Sequence, residues 1–394
     1  MPSTSRRSRQ KLSAVVKVNK AEDRINNIPK NLIGHILSFL PTKYAVRTGI
    51  LSTKWKWMWT SISNLDFDDE IDPYIDRHDD HRQMSFLKFI NRVLLLLEGS
   101  NVYKFRIKCS RIPDVSYVNP WVTAALLRNV RELDLYLHFG SSVLLPTDLF
   151  SCDKLEVLKL GSDFVLNIPS LVDLKSLKTL YLSSVQFMDE ESIKRLLSRC
   201  PILEVLDLFE CGGKNVSVVN ISAPALKKLI VKYPAPKCWG EESEGFAMNN
   251  LSSLVEASVD IDICYEQDAG QFYTSMAGLV HGISNVQTLH LYGDCIEGLM
   301  DDYYDCDDFL EWYPPERVPT CLLFTLEKIN IGMFRGQENE VKMVEYFLAN
   351  AKVLKIMDIR FDPEEMSLGQ PDYEDLRKLL EMPRGSTSCK VLVS

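Results

Sequence analysis

The chain has 394 residues and a formal charge of −9, with 46% hydrophobic and 25% charged residues, a balance that excludes wholesale disorder and collagen-like repetition. Its greasiest run, Val93 to Leu97, is bounded by Arg92 and Glu98 and falls far short of the roughly 18 apolar residues a membrane helix needs. The leading MPSTSRRSRQK lacks the apolar core of a secretory signal, and ten cysteines are scattered from Cys109 to Cys389 without a C-x-x-C pair, which argues for reduced thiols rather than a disulfide framework or a zinc site and for a home in the nucleus and/or cytoplasm.

Residues 1–20 hold six basic residues (Arg6, Arg7, Arg9, Lys11, Lys17, Lys20) and no acid, so the +6 of this tail within a total of −9 leaves −15 for the rest. An acidic body repels phosphates, and no nucleic-acid partner is expected. The tail itself reads as a disordered leader, a nuclear address or a weak anion-binding arm.

From Asp23 onward the apolar residues recur at helical spacing. Ile28, Leu32, Ile36 and Leu40 step by four, with Ile33 and Leu37 beside them, giving a stripe wider than a single buried face requires and calling for a partner. Pro29 suits a first helical turn and Pro41 ends the helix, after which Thr42 is placed to cap a short second helix through Ala45, Val46 and Ile50. A third helix is expected to carry Trp55, Trp57 and Trp59. Gly34 and Gly49 each cost about 1 kcal/mol in a helix interior.

The segment resembles the F-box: an apolar-proline start at Ile28-Pro29, ILSFLPTK at Ile36 to Lys43, and LS-x-x-W at Leu51 to Trp55. That resemblance implies a face for a Skp-type adaptor, which joins a cullin scaffold, formed here by Ile28, Pro29, Leu32, Ile36, Leu37, Leu40, Pro41, Val46, Leu51 and Trp55.

Beyond an acidic linker an L-x-x-L-x-L pattern keeps returning, as in LEVLKL at Leu155, LKTLYL at Leu177 and LEVLDL at Leu203. Its middle apolar residues are Phe105, Leu133, Leu158, Leu180, Leu206, Leu229, Ala257, Leu289, Ile329 and Met357, mostly at the spacing of leucine-rich repeats. Each copy buries its leucines only by stacking on its neighbours, so parallel strands should line one face of a curved array, with partly helical returns. Alternation turns Asp134, Lys159, Tyr181, Asp207, Ile230, Ser258, His290 and Asn330 outward, flanked by Tyr136, Phe209, Lys232 and Tyr292. Tyr136, Lys159, Tyr181, Phe209, Lys232, His290 and Tyr292 are the candidate target contacts, against the alternative that loops cover them.

The insertion DDYYDCDDFLEWYPPERVP at Asp301 to Pro319 lacks the glycine and closing glutamate of an EF-hand and reads as a solvated acidic loop or a dock for a basic patch. From Cys321 the order becomes strand, helix, strand, helix, strand. CLLFTLEKI, FRGQENE, NAKVLK and MPRGSTSCKV resemble the FBD domain, and the whole order is similar to plant F-box/FBD/leucine-rich-repeat proteins.

The expected organisation is a basic tail at 1–20, F-box at 21–66, acidic linker at 67–82, repeats at 83–320 and FBD cap at 321–394. The fold class is α/β: a three-helix F-box, an irregular leucine-rich-repeat solenoid and a closing α/β FBD unit. No G-x-S-x-G or phosphate loop is present, and His78 and His81 lack further ligands, so no enzyme, metal or cofactor is expected. The resemblance implies a non-catalytic substrate receptor of a Skp-cullin-F-box ubiquitin ligase. A scaffold that sequesters its partner and a small-molecule co-receptor stand as alternatives.

Overall fold

The computed structural model describes residues 27–69, 80–97, 99, 101–112, 114–213, 216, 218–233, 245–261, 283–292, 314, 317–336, 338–361, 377 and 379–394. The basic tail, most of the linker, the acidic insertion through residue 313 and most of the helix expected at 373–381 lie outside them.

Two short α-helices, α1 (Lys30–Leu37) and α2 (Thr42–Arg47), open the described chain. Pro29 and Pro41 stand at their N-caps, where a missing N–H costs nothing. The second helix, expected to reach Ile50, passes into a 3-10 turn at Thr48–Ile50, and the third expected helix is 3-10, Trp55–Ser61. Thr42 does not cap α2; its hydroxyl is used elsewhere.

A single parallel sheet dominates the rest. Its strands, in spatial order, are β1 (Asn64–Asp68), β2 (Lys104–Cys109), β3 (Glu132–Leu137), β5 (Val157–Gly161), β7 (Thr179–Ser183), β9 (Val205–Phe209), β11 (Lys228–Tyr233), β13 (Glu256–Ile261), β14 (Thr288–Tyr292), β15 (Lys328–Phe334), β16 (Ile356–Phe361) and β17 (Lys390–Val393). Spatial order follows chain order throughout, so each strand pairs only with its sequence neighbours in the sheet. Two smaller parallel ladders run outside it: β4 (Val143–Leu144), β6 (Phe164–Leu166) and β8 (Gln186–Phe187), and β10 (Val218–Ser222) with β12 (Gly245–Asn249). Helical returns include α3 (Asp80–Leu96), α4 (Val118–Leu126), α5 (Glu190–Ser198), α6 (Thr320–Phe324) and α7 (Glu338–Asn350).

The middle residues of the sequence pattern fall into one register row, from Phe105 opposite Leu133 to Ile329 opposite Met357. Leu65 and Val391 extend that row by one strand at each end. Every row residue from Leu65 to Met357 is buried. A second row marks the start of the strands. From Ser63 to Glu327, the carbonyl two residues before each row residue accepts two consecutive N–H groups of the next repeat; Glu156 O, for instance, accepts from Lys178 N at 2.8 Å and Thr179 N at 3.1 Å. This identical backbone arrangement is what lets repeats of unequal length stack in one register.

Two boundaries differ from expectation. Strand β1 crosses the limit drawn at 66, because Leu65 and Phe67 alternate with half-exposed neighbours and pair with β2. Helix α3 begins at Asp80, inside the segment expected as linker.

Candidate functional site: an apolar helical face and an open sheet face

Packing divides the leading helices sharply. Helix α1 buries Ile33 and Leu37 while Leu32 stays 51% and Ile36 48% exposed. Phe39, Leu40, Tyr44, Ile50, Leu51 and Trp57 are exposed as well. Eight large apolar side chains are exposed to water within one small module, more than scattered surface residues account for. Of the expected adaptor contacts, Leu32, Ile36, Leu40, Leu51 and Pro29 are exposed, and Ile28, Pro41 and Val46 are half-buried. Leu37, 1% exposed, and Trp55, 6% exposed, require correction: both lie in the interior, where they hold α1 against the 3-10 turn. Phe39, Tyr44, Ile50 and Trp57 were not among the expected contacts; their places within or beside the ILSFLPTK and Leu51 to Trp55 segments are the signal that could have found them.

The module is fastened to the sheet through hydroxyls. Asp66 N–H donates to the buried Thr42 Oγ1 at 2.8 Å, Ser63 N–H donates to Ser38 Oγ at 3.1 Å, and Asn64 Nδ2 donates to the Ser38 carbonyl at 3.3 Å. The first of these satisfies a backbone N–H of edge strand β1, which would otherwise invite unwanted pairing.

The outward sheet face collects all seven expected target contacts. Lys159, Tyr181 and His290 share one row; Tyr136, Phe209, Lys232 and Tyr292 share the next. Tyr136, Phe209 and Tyr292 are exposed and stand three strands apart in turn, about 14 Å per step at a strand spacing near 4.8 Å. Two of these rings lie over bare backbone: a β-carbon on Gly161 would meet the Tyr136 ring at 2.2 Å, and one on Gly332 the Tyr292 ring at 3.0 Å. Lys159 Nζ sits 4.9 Å from the Tyr181 ring centre and Lys232 Nζ 5.4 Å from that of Phe209.

Charges on this face are largely cancelled in place. Lys104 meets Glu132 at 2.6 Å, Lys228 meets Glu256 at 2.7 Å, and Arg106 lies among Asp66, Asp68 and Asp134. His290 Nε2 is 3.6 Å from Glu256, and its Nδ1 is 3.2 Å from Asn330 Nδ2. Burial, joined by Lys228, Lys328 and Arg360, pushes its pKa down against the pull of Glu256. Elsewhere burial pushes the Cys109, Cys200 and Cys211 thiols up to about 12, the opposite of an activated nucleophile.

An exposed apolar docking module fixed to a stack of parallel repeats with an open, aromatic-studded face defines a two-surface adaptor-type protein. Residues 118–257 match a family described as "FBD-associated F-box protein At5g56370, LRR repeats", and residues 314–359 match the FBD family. Among similar proteins of Arabidopsis thaliana, the F-box/FBD/LRR-repeat protein At2g04230 is 30% identical over 92% of this chain and 93% of its own length, and the FBD-associated F-box protein At3g52670 is 30% identical over 94% and 97%. The F-box/LRR-repeat protein At4g14103 is 32% identical over 73% of this chain and 81% of its own. The chain belongs to the F-box/FBD/leucine-rich-repeat family.

Proposed function

We propose that this protein is the substrate-recognition subunit of a Skp-cullin-F-box ubiquitin ligase. The adaptor docks on the exposed apolar residues of 21–66, and a protein target is held on the outward face of an irregular leucine-rich-repeat solenoid that the FBD unit, 321–394, closes. The observation that carries the reading is the set of exposed apolar side chains around Leu32 and Ile36 on a module otherwise well packed. The protein itself supplies proximity: it raises the concentration of target lysines at the charged ubiquitin carrier and needs no nucleophile of its own. Action in the nucleus and/or cytoplasm follows from the same reading. Sequestration without ubiquitin transfer would use the same surfaces, and target half-life on depletion separates the two. A co-receptor for a small acidic ligand finds less support, since Lys104, Arg106, Lys228 and Lys232 already face carboxylates.

The test is capture of purified Skp adaptor by the full chain and by Leu32→Asp/Ile36→Asp. Both side chains are solvent-exposed, so the double variant should melt like the parent while losing adaptor at least about 30-fold, as two contacts worth over 1 kcal/mol each imply. Undiminished capture would overturn the assignment.

A further inference from the structure

We infer that the middle of the outward sheet face, at Asp207, is the subsite for a basic side chain of the bound polypeptide, arginine in preference to lysine; this deepens the receptor reading and rests on it.

The inference starts from which outward carboxylates already have a counter-ion. Asp66, Asp68 and Asp134 lie 2.8, 3.2 and 3.6 Å from Arg106. Glu132, Glu256, Asp260 and Asp358 have Lys104, Lys228, Lys232 and Arg360 at 2.6, 2.7, 3.1 and 2.9 Å. Asp207, on β9 in the centre of the sheet, has neither an ion pair nor a hydrogen bond among the described residues. The cation it feels, Lys228, is held by Glu256. A half-buried carboxylate without a partner costs free energy, and burial accordingly pushes its pKa up.

Its surroundings suit a flat cation. Tyr181 and Ile230 stand directly opposite it on the neighbouring strands, and Phe209 follows two residues on along its own. Both aromatic rings already attract cations, Lys159 to Tyr181 and Lys232 to Phe209. A guanidinium can fork onto a carboxylate while its plane lies against an aromatic face, which an ammonium does less well. Phosphate or carboxylate ligands would meet Asp207 itself and are disfavoured.

The experiment uses the purified full chain, incubated with Skp adaptor, and dodecapeptide pools randomised except for one central arginine, lysine, alanine or glutamate. The arginine pool should be retained about ten-fold over the alanine pool, the increment of one charge-assisted hydrogen-bonded contact, with lysine between and glutamate lowest. Asp207→Asn should bring arginine down to the alanine level while its melting temperature stays unchanged or rises. Equal retention of arginine and alanine pools by the parent, preference for glutamate, or arginine preference surviving in Asp207→Asn would each overturn the inference. So would loss of preference accompanied by a lowered melting temperature, which would make Asp207 a structural residue. Adaptor capture is read on the same samples: a chain that selects arginine peptides without holding adaptor keeps the subsite and sinks the ligase reading.

Discussion

A β-carbon on Gly34 would stand 2.9 Å from the Ser61 hydroxyl oxygen and 3.2 Å from the Ser61 carbonyl oxygen, and one on Gly49 would stand 3.3 Å from the Lys56 backbone. The two glycines that weaken these helices on propensity alone are therefore what allow them to close on the tryptophan-bearing turn. Gly34→Val should destabilise the module by about 2 kcal/mol through overpacking, seen as an earlier loss of tryptophan fluorescence and weaker adaptor capture. This contrasts with Leu32→Asp/Ile36→Asp, which should lose capture without losing stability. Asp207 follows a different rule at the same scale. Its pKa is raised in the folded chain by burial, so the folded state takes up a proton more readily than the unfolded one. Ionised Asp207 therefore costs stability at neutral pH, and that cost disappears as pH falls through the folded pKa. The melting advantage expected for Asp207→Asn at about pH 7 should shrink towards about pH 4, near the ordinary carboxylate range; an advantage independent of pH would show that ionisation is not its cause.

At the level of the strands, burial is concentrated in the row running through Leu133, Leu158, Leu180, Leu206 and Leu229, each wholly or almost wholly buried. Leu206 has Leu180 on one side and Leu229 on the other, so neither neighbour can close a gap without losing its own register. Leu206→Ala should cost about 3 kcal/mol, measured by denaturant unfolding, with hydrogen exchange accelerating first in β7, β9 and β11, the strands that share its contacts. This row was legible in the sequence because a leucine at every second position has one physical use in a stack of parallel strands. The outer strands of the row were harder to read: Leu65 sits in a segment whose neighbours, Asp66, Asp68 and Asp69, look like a linker until Arg106 is seen to gather the first two. The turns that follow the strands were not legible at all. Ser162, Ser184, Glu210 and Met333 all adopt left-handed backbone, with φ between 51° and 73°, at equivalent positions after β5, β7 and β9 and within β15. None is the glycine that marks such a turn in sequence. The pattern identified the outward-facing residues correctly, but the isolation of Asp207 depends on ion pairs between strands, which sequence alone does not assign. Similarly, helical periodicity marks Leu37 and Trp55 as apolar but cannot tell a side chain under the module from one on its surface.

For the whole molecule, the distance and orientation between the docking module and the open face depend on how the two are joined. The join is partly apolar, since the buried residues of the module and of the first strands belong to one hydrophobic core, and partly polar: Thr42 lends its hydroxyl oxygen to the N–H of Asp66 in the first strand, and Ser38 to that of Ser63 just before it. Ser38 Oγ also donates back to the Gly34 carbonyl at 2.9 Å, so the same residue closes α1 and holds the sheet. A receptor acting by proximity gains from such a join, because a target presented at a fixed attitude meets the ubiquitin carrier more often than one on a loose tether. Thr42→Val keeps the shape of the side chain and removes the acceptor, leaving the Asp66 N–H unpaired at a cost of about 1–3 kcal/mol. None of the exposed apolar residues is altered. Adaptor capture should therefore be retained, while cooperativity between module and sheet is lost. Three of the six tryptophans, Trp55, Trp57 and Trp59, lie in the module, so fluorescence should report its melting ahead of the far-ultraviolet signal of the sheet, whereas the parent should show coincident transitions. In a reconstituted ligase the same variant should bind adaptor normally and modify its target more slowly. Coincident melting in Thr42→Val, or an unchanged rate of modification, would show that the hydroxyl join does not set the geometry between the two surfaces.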